Sequence, residues 1–429
     1  MTPGARVAAT IELLDLLDKT REATSVVINA YFRQRRYAGS KDRRAISDRT
    51  YEVLRHRARL EWWVGNAGLK LSSRARLIAD LCADEEAEVE ALFSGEGHSP
   101  AVLNEAEQAL AAKDISLTSP NMPADIALEV PPWLSADLRA SLGDEAANEL
   151  EALNQPAPVD LRINTLKADR ATVQETLSKQ GLEAIPTPYS PLGLRLPVPT
   201  GLQNTDAFKK GDFEIQDEGS QIASLLCDAQ PGMAVADVCA GAGGKALALA
   251  ATMNGQGLVD ACDVSAKRLS QMGARLTRSG AEIVRSHVLG QEGEDWFAEH
   301  QSGYDRVLVD APCSGSGTWR RDPLAKWRLR PKDLEAYVTQ QTEILRQAAV
   351  LVKSGGRLIY VTCSLLASEG ENQIESFLAA TPGFKVISAE QSWPKISSMP
   401  FPGPGPYLRL SPAKTETDGF FIAILEFNA

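Results

Sequence analysis

Apolar residues recur at helical spacing through roughly the first 140 positions. Val7, Ile11, Leu14 and Leu17 fall on one helix face, and later segments repeat the pattern between short polar breaks. Proline punctuation in "TSPNMP" and "VPPWL" predicts a boundary near 120 to 135. From about 145 to 215 the texture becomes an acidic helix, then "PVDLRINTLK", a helix-like "DRATVQETLSKQG" and "LGLRLPV", which together predict a small α+β segment. Beyond 215 apolar strands alternate with amphipathic helices: "MAVADVCA", "GLVDACD", "YDRVLVDAP" and "GGRLIYVTCS" each precede one, and the chain finishes on "GFFIAILEF". Strands that are apolar throughout and separated by helices predict a parallel sheet covered on both faces, hence a doubly wound α/β domain that binds ligands at the strands' carboxyl ends. The expected domains are 1–140, 141–215 and 216–429, because 429 residues exceed what one core serves.

Hydrophobic content of 44% and charged content of 24% are ordinary for a globular chain. Asp and Glu interrupt the amino-terminal stretch where a signal peptide would be apolar, and no run approaches membrane-spanning length, so a cytoplasmic protein without a membrane partner is expected. Six cysteines without a CxxC pair, and four scattered histidines, offer no metal-ligand spacing and no disulfide framework. Net charge of −11 argues against indiscriminate polyanion binding. Basic residues nevertheless cluster from Arg33 to Arg59 and from Thr318 to Lys332, and the second run carries Trp319 and Trp327. These runs point to a nucleic-acid partner, with the tryptophans as candidate platforms for bases. A monomer is expected.

The glycine turn "DVCAGAGGKA", Asp237 to Ala246, stands where the first strand of the α/β domain meets its helix. Gly241, Gly243 and Gly244 let the backbone approach a ligand, and the helix start offers free N–H groups. Asp263 ends the next strand about twenty residues on, where a carboxylate accepts hydrogen bonds from a ribose diol. NAD and S-adenosylmethionine both satisfy this pattern. Asp310 and Cys313 follow one strand and Cys363 another; if those strands are neighbours, about 4.8 Å apart, both thiols open onto one pocket with Asp310. Hydride transfer has no use for two thiols. Methylation of a pyrimidine carbon does: a thiolate added at C6 makes C5 nucleophilic toward a sulfonium methyl, and a carboxylic acid at N3 stabilises the adduct. Lys245 is a candidate for lowering a thiol's pKa, although cofactor binding suits it better, and Glu218 and Asn372 are plausible pocket residues or helix caps.

At these residues the sequence resembles the RsmB/Sun/Nop family of RNA cytosine-5 methyltransferases. The matching stretches are "RINTLK", "FEIQDEGSQIAS", "DVCAGAGGK", "DVSAKRL", "VDAPCSGSGTWRRDP", "YVTCSLLASEGENQ" and "TDGFFIA". The resemblance implies S-adenosylmethionine held in a Rossmann-like class I methyltransferase domain by Cys239, Ala240, Gly241, Ala242, Gly243, Gly244, Lys245, Asp263 and Asp310. It implies Cys363 as nucleophile, Cys313 as the thiol aiding release and Asp310 as the contact to the target base. The first sixty or so residues look like a NusB-like helical RNA-binding domain, which implies small-subunit ribosomal RNA as substrate. The α+β segment would be the family's small RNA-binding extension. The chain departs from the family at "GAGGK" for the commoner "APGGK", and near Gly290 and Gln291, where an acidic adenine contact usually stands. Three alternatives differ in class: a tRNA cytosine-5 methyltransferase, a non-catalytic NusB-like RNA-binding protein, and an NAD-dependent oxidoreductase.

Overall fold

The computed structural model describes residues 1–84, 87–197, 201–290 and 293–428, without the side chains of 293–295. It divides into two compact units: Met1–Pro156 with Trp319–Arg330, and Ala157–Thr318 with Pro331–Ala429. Among the described residues no helix is long and apolar enough to cross a membrane, and no group of metal-ligating side chains converges.

The first unit is helical. It begins with α1 (Pro3–Asp18), α2 (Thr24–Gln34), α3 (Ser40–Arg55), α4 (Arg57–Asn66) and α5 (Ser73–Cys82). Thr2 and Ser72 cap α1 and α5 by accepting the N–H groups of Ala5 and Ala75. The face read from the sequence is the packed one: Val7, Leu14 and Leu17 are buried and Ile11 packs on them, with Phe32, Leu54, Leu60 and Leu77 in the same core.

Folding consumes much of the first basic run. Arg35 pairs with Glu12, Arg49 with Asp80 and Asp84, Arg57 with Glu61, and Arg59 with Glu151. Arg33, Arg36 and Lys41 are exposed, with no protein partner among the described residues. The second run is part of the same helical core. Leu324 is buried in it, Trp327 packs against it, and Trp319 is only 1% exposed. The buried Lys326 donates to Asn154 Oδ1 at 2.8 Å, and Asp322 accepts the hydroxyl and the N–H of Thr24. Trp319 is therefore not a platform for RNA bases, and the half-buried Trp327 spends part of its ring on the helical core. The apolar residues of this run bury themselves and carry the lysine with them.

The second unit opens with a small antiparallel sheet of β1 (Val159–Ile163), β2 (Ile185–Pro186), β3 (Gly193–Leu196) and β4 (Phe213–Ile215), in the order β2-β3-β1-β4. Alternation along β1 divides its two faces. Leu161 and Ile163 join Leu194, Leu196 and Phe213 in an apolar cluster. On the other face Asp160 pairs with Arg195, and Arg162 donates to the carbonyl of Gly244 at 2.6 Å.

The large sheet contains β5 (Ala234–Asp237), β6 (Leu258–Asp263), β7 (Val284–Val288), β8 (Tyr304–Asp310), β9 (Val352–Thr362), β10 (Phe384–Ile387), β11 (Leu408–Leu410) and β12 (Phe420–Phe427). Its order is β10-β12-β9-β8-β5-β6-β7, with β11 paired to β12. Strands β5 to β9 are mutually parallel, but β12 runs antiparallel between β9 and β10. The sheet is thus mostly rather than wholly parallel, because a strand buried on both faces reads as one apolar run whichever way it points. Strand order reverses between β5 and β8, and a crevice opens at the carboxyl ends beside such a switch point.

Candidate active site

The turn from β5 into the helix Gly244–Thr252 needs glycine at two places. Gly241 and Gly243 have φ of 56° and 82°, and a Cβ on Gly241 would lie 2.6 Å from the Arg268 guanidinium. Within the turn the Gly243 N–H donates to the Ala240 carbonyl, and Ala240 is itself tied to the Cys262 carbonyl of β6. The carbonyls of Ala242 and Gly244 are taken by Arg275 and Arg162. Asp263, at the end of β6, accepts the N–H of Gly241 at 2.9 Å and that of Ser265 at 2.8 Å, and Arg268 stands 3.4 Å away.

A cavity of about 850 Å³ opens beside this turn. Cys239, Asp263, Asp310, Cys313 and Cys363 all line it, while Val264, Leu289 and Phe297 supply apolar wall. Ala240 to Lys245 form the supporting turn and do not line the cavity themselves. The two thiols meet because their strands are neighbours in register: Asp310 pairs with Val361, and the Ala311 N–H donates to the Val361 carbonyl. The Gly317 N–H then closes on the Cys363 carbonyl at 3.0 Å, which brings the sulfurs of Cys313 and Cys363 to 3.4 Å. Only glycine fits at 317, where a Cβ would stand 2.2 Å from the Gly419 carbonyl oxygen.

Charge is arranged tightly around this cluster. Lys245 donates to Asp310 Oδ2 at 2.7 Å. Burial works against its ammonium, but the carboxylates of Asp310 and, after it, Asp237 hold the lysine above its ordinary pKa. The second oxygen of Asp310 has no protein partner among the described residues. The Cys313 thiol is pushed well up, first by its hydrogen bond to Cys363 and then by burial. Burial also raises Cys227, Cys239 and Cys262, of which Cys227 and Cys262 belong to the core.

Asp237 ends β5 fully buried, and among the described residues neither carboxylate oxygen has a hydrogen-bond partner of good geometry. Burial, with the charge of Asp310 next, pushes it to about 7. Its folded pKa therefore lies above its unfolded value, so the stability it contributes is complete below about 4 and lost as pH rises through 7. Urea unfolding at pH 5 and pH 8 should show that Asp237→Asn loses less stability over that interval than the unaltered protein. Equal losses would show that Asp237 does not titrate there.

Two residues anticipated at the pocket lie elsewhere. Glu218 is fully buried and accepts the N–H groups of Tyr189 and Ser190 at 2.6 and 2.7 Å, which makes it structural. Asn372 is exposed on the helix Glu371–Ala380 and does not line the cavity. Gln291 lies outside the described residues, and Gly290 is exposed. Sequence reasoning passed over Arg268 as a site residue. It lies five positions past Asp263 on the short helix that follows β6, and that helical turn brings it back over the carboxylate.

Residues 224–426 match the family model described as 16S rRNA methyltransferase RsmB/F, and residues 130–203 match the RsmF/B-like ferredoxin-like domain. The chain carries an RsmB/F methyltransferase domain. Similar proteins include the probable ribosomal RNA small subunit methyltransferase B of Bacillus subtilis (strain 168), 32% identical over 68% of this chain and 65% of that protein. The corresponding protein of Synechocystis sp. is 34% identical over 69% and 66%. The match thus spans just under two thirds of these relatives' length. Among solved structures, PH0851 aligns over 99% of both chains at 27% identity and a TM-score of 0.79. A methyltransferase homolog protein from Pyrococcus horikoshii aligns over 72% of this chain and all of its own, at 27% identity and a TM-score of 0.61.

S-adenosylmethionine is the cofactor that an RsmB/F domain implies, and the residues present fit it. Asp263 offers a buried acceptor for a ribose diol, the glycine turn permits close approach, and the cavity joins Asp263 to both thiols. This domain assignment removes the oxidoreductase alternative.

Proposed function

We propose that the protein transfers a methyl group from S-adenosylmethionine to C5 of a cytosine in small-subunit ribosomal RNA, through a bond between Cys363 and C6. The observation that carries this reading is the pair of sulfurs 3.4 Å apart in the cavity that also contains Asp263 and Asp310. The Cys363 thiolate forms a bond to C6, the C5–C6 π pair moves to C4–C5 and the C4–N3 π pair moves onto N3, giving an enamine whose C5 is nucleophilic. Asp310, held by Lys245, has one oxygen left to orient the base and stabilise the adduct. The cofactor, when bound, supplies an electrophilic methyl group. Loss of the C5 proton and expulsion of Cys363, assisted by Cys313, then complete the exchange.

The names of the relatives from Bacillus and Synechocystis favour small-subunit ribosomal RNA over transfer RNA. Residues 1–140 would serve as a NusB-like RNA-binding domain, residues 141–215 as an RNA-contacting extension and residues 216–429 as the methyltransferase, acting in the cytoplasm beside its RNA. A non-catalytic RNA-binding role leaves the convergence of Cys313, Cys363 and Asp310 without a purpose. Bisulfite sequencing of total RNA from cells with and without the protein tests the reading. A single small-subunit cytosine should lose protection when the protein is absent. Loss of a transfer-RNA position instead, or of none, would reject the proposed substrate.

A further inference from the structure

One buried acid lies between the two cysteine segments. Glu369 is 0% exposed and receives four donors. Its Oε1 accepts the Ser314 N–H at 2.8 Å and the Gln341 amide at 3.0 Å, and its Oε2 accepts the hydroxyls of Ser314 and Ser364, the latter at 2.6 Å. Ser314 follows Cys313 and Ser364 follows Cys363, so a single side chain ties together the residues next to both thiols. Gln341 extends the tie to the Pro312 carbonyl at 2.9 Å. Four donors on two oxygens suit an ionised carboxylate, which can only accept. Among the described residues no cation pairs with it.

A buried negative charge without a counter-ion acts on whatever can titrate beside it. The sulfurs, 3.4 Å apart, are close enough to share one proton when one of them is ionised. Three of the four donors tie Glu369 to the Cys313 loop, namely the Ser314 N–H and hydroxyl and the Gln341 amide that also holds the Pro312 carbonyl, and its charge acts in the same direction as the Cys363 hydrogen bond and the burial that raise the Cys313 thiol.

We propose that Glu369 is a positioning residue that keeps the shared proton on Cys313, leaving Cys363 free to attack and Cys313 as the hydrogen-bond donor for its release. The assignment rests on the proposed cytosine chemistry for its purpose. In release the C5–H bond breaks, its electron pair forms the C5–C6 double bond and the proton passes to water. The C6–S bond breaks at the same time, its pair returns to the Cys363 sulfur, and the Cys313 thiol donates a hydrogen bond to that sulfur.

Alkylation by iodoacetamide across pH, read peptide by peptide in the full-length protein, tests this without RNA, since only thiolate reacts. In the unaltered protein Cys363 should be alkylated at lower pH than Cys313; the reverse order overturns the proposal, and this arm needs no variant. Glu369→Gln should lower the Cys313 midpoint by about one pH unit, a tenfold gain in reactive fraction below it, whereas Glu369→Asp should stay near the unaltered value. Loosening of the loop alone would raise the plateau rates without moving the midpoint, and that result also overturns it, as does Glu369→Asp behaving like Glu369→Gln. If the unaltered protein makes no 5-methylcytosine, the proposed function fails, while the alkylation profiles still decide the role of Glu369.

Discussion

Cys313→Ala should leave the protein trapped on its RNA as an adduct that survives denaturing electrophoresis, whereas Cys363→Ala should form no adduct. The expectation follows from the 3.4 Å sulfur pair: in the proposed mechanism one thiol makes the bond to C6, and the other lies beside it to assist its departure. Loss of a nucleophile costs roughly 10⁴-fold or more in turnover, so Cys363→Ala should fall to background in transfer of labelled methyl groups. Cys313→Ala should complete close to one methyl transfer per protein and then stall. Trapping should require S-adenosylmethionine and RNA together if release, rather than attack, is what fails. Free turnover by Cys313→Ala, or an adduct formed by Cys363→Ala, would exchange or abolish the two roles.

Asp263→Ala should weaken S-adenosylmethionine binding by roughly 100-fold or more. Asp263 accepts two backbone N–H groups while lining the cavity, so its removal both unties Gly241 and takes away the proposed acceptor for the ribose. Hydrogen bonds to a charged group contribute about 1.5–3 kcal/mol each, and every 1.4 kcal/mol is tenfold in affinity. Isothermal titration calorimetry with S-adenosylmethionine measures this directly. A change below about fivefold would place the ribose elsewhere in the cavity.

The convergence of four side chains on one cavity was largely legible in the sequence. Asp263, Asp310, Cys313 and Cys363 all lie at or just past strand ends, and side chains at the carboxyl ends of parallel strands share one rim. The same local rules could not show what a buried face packs against. Leu324 and Trp327 stand in a basic run, and nothing local says that they pack into the core built by α1 to α5. Glu218 looked like a pocket acid because its hydrogen-bond donors, Tyr189 and Ser190, come from a loop nearly thirty residues earlier. Likewise β12 reads as one more apolar strand, and its direction is set by the open edge of β9.

The return of Trp319–Arg330 to the helical unit has a consequence for biosynthesis. Domains generally fold as units while the chain grows at about 5–20 residues per second. The amino-terminal helices leave the ribosome lacking Trp319, Leu324 and Lys326, which are made only after the first cysteine loop is complete. For roughly ten to thirty seconds of elongation those helices expose the seat that Leu324 will fill, with Asn154 still waiting for its lysine. The amino-terminal unit is therefore begun first and finished late, and a nascent-chain arrest placed before residue 319 would capture it open.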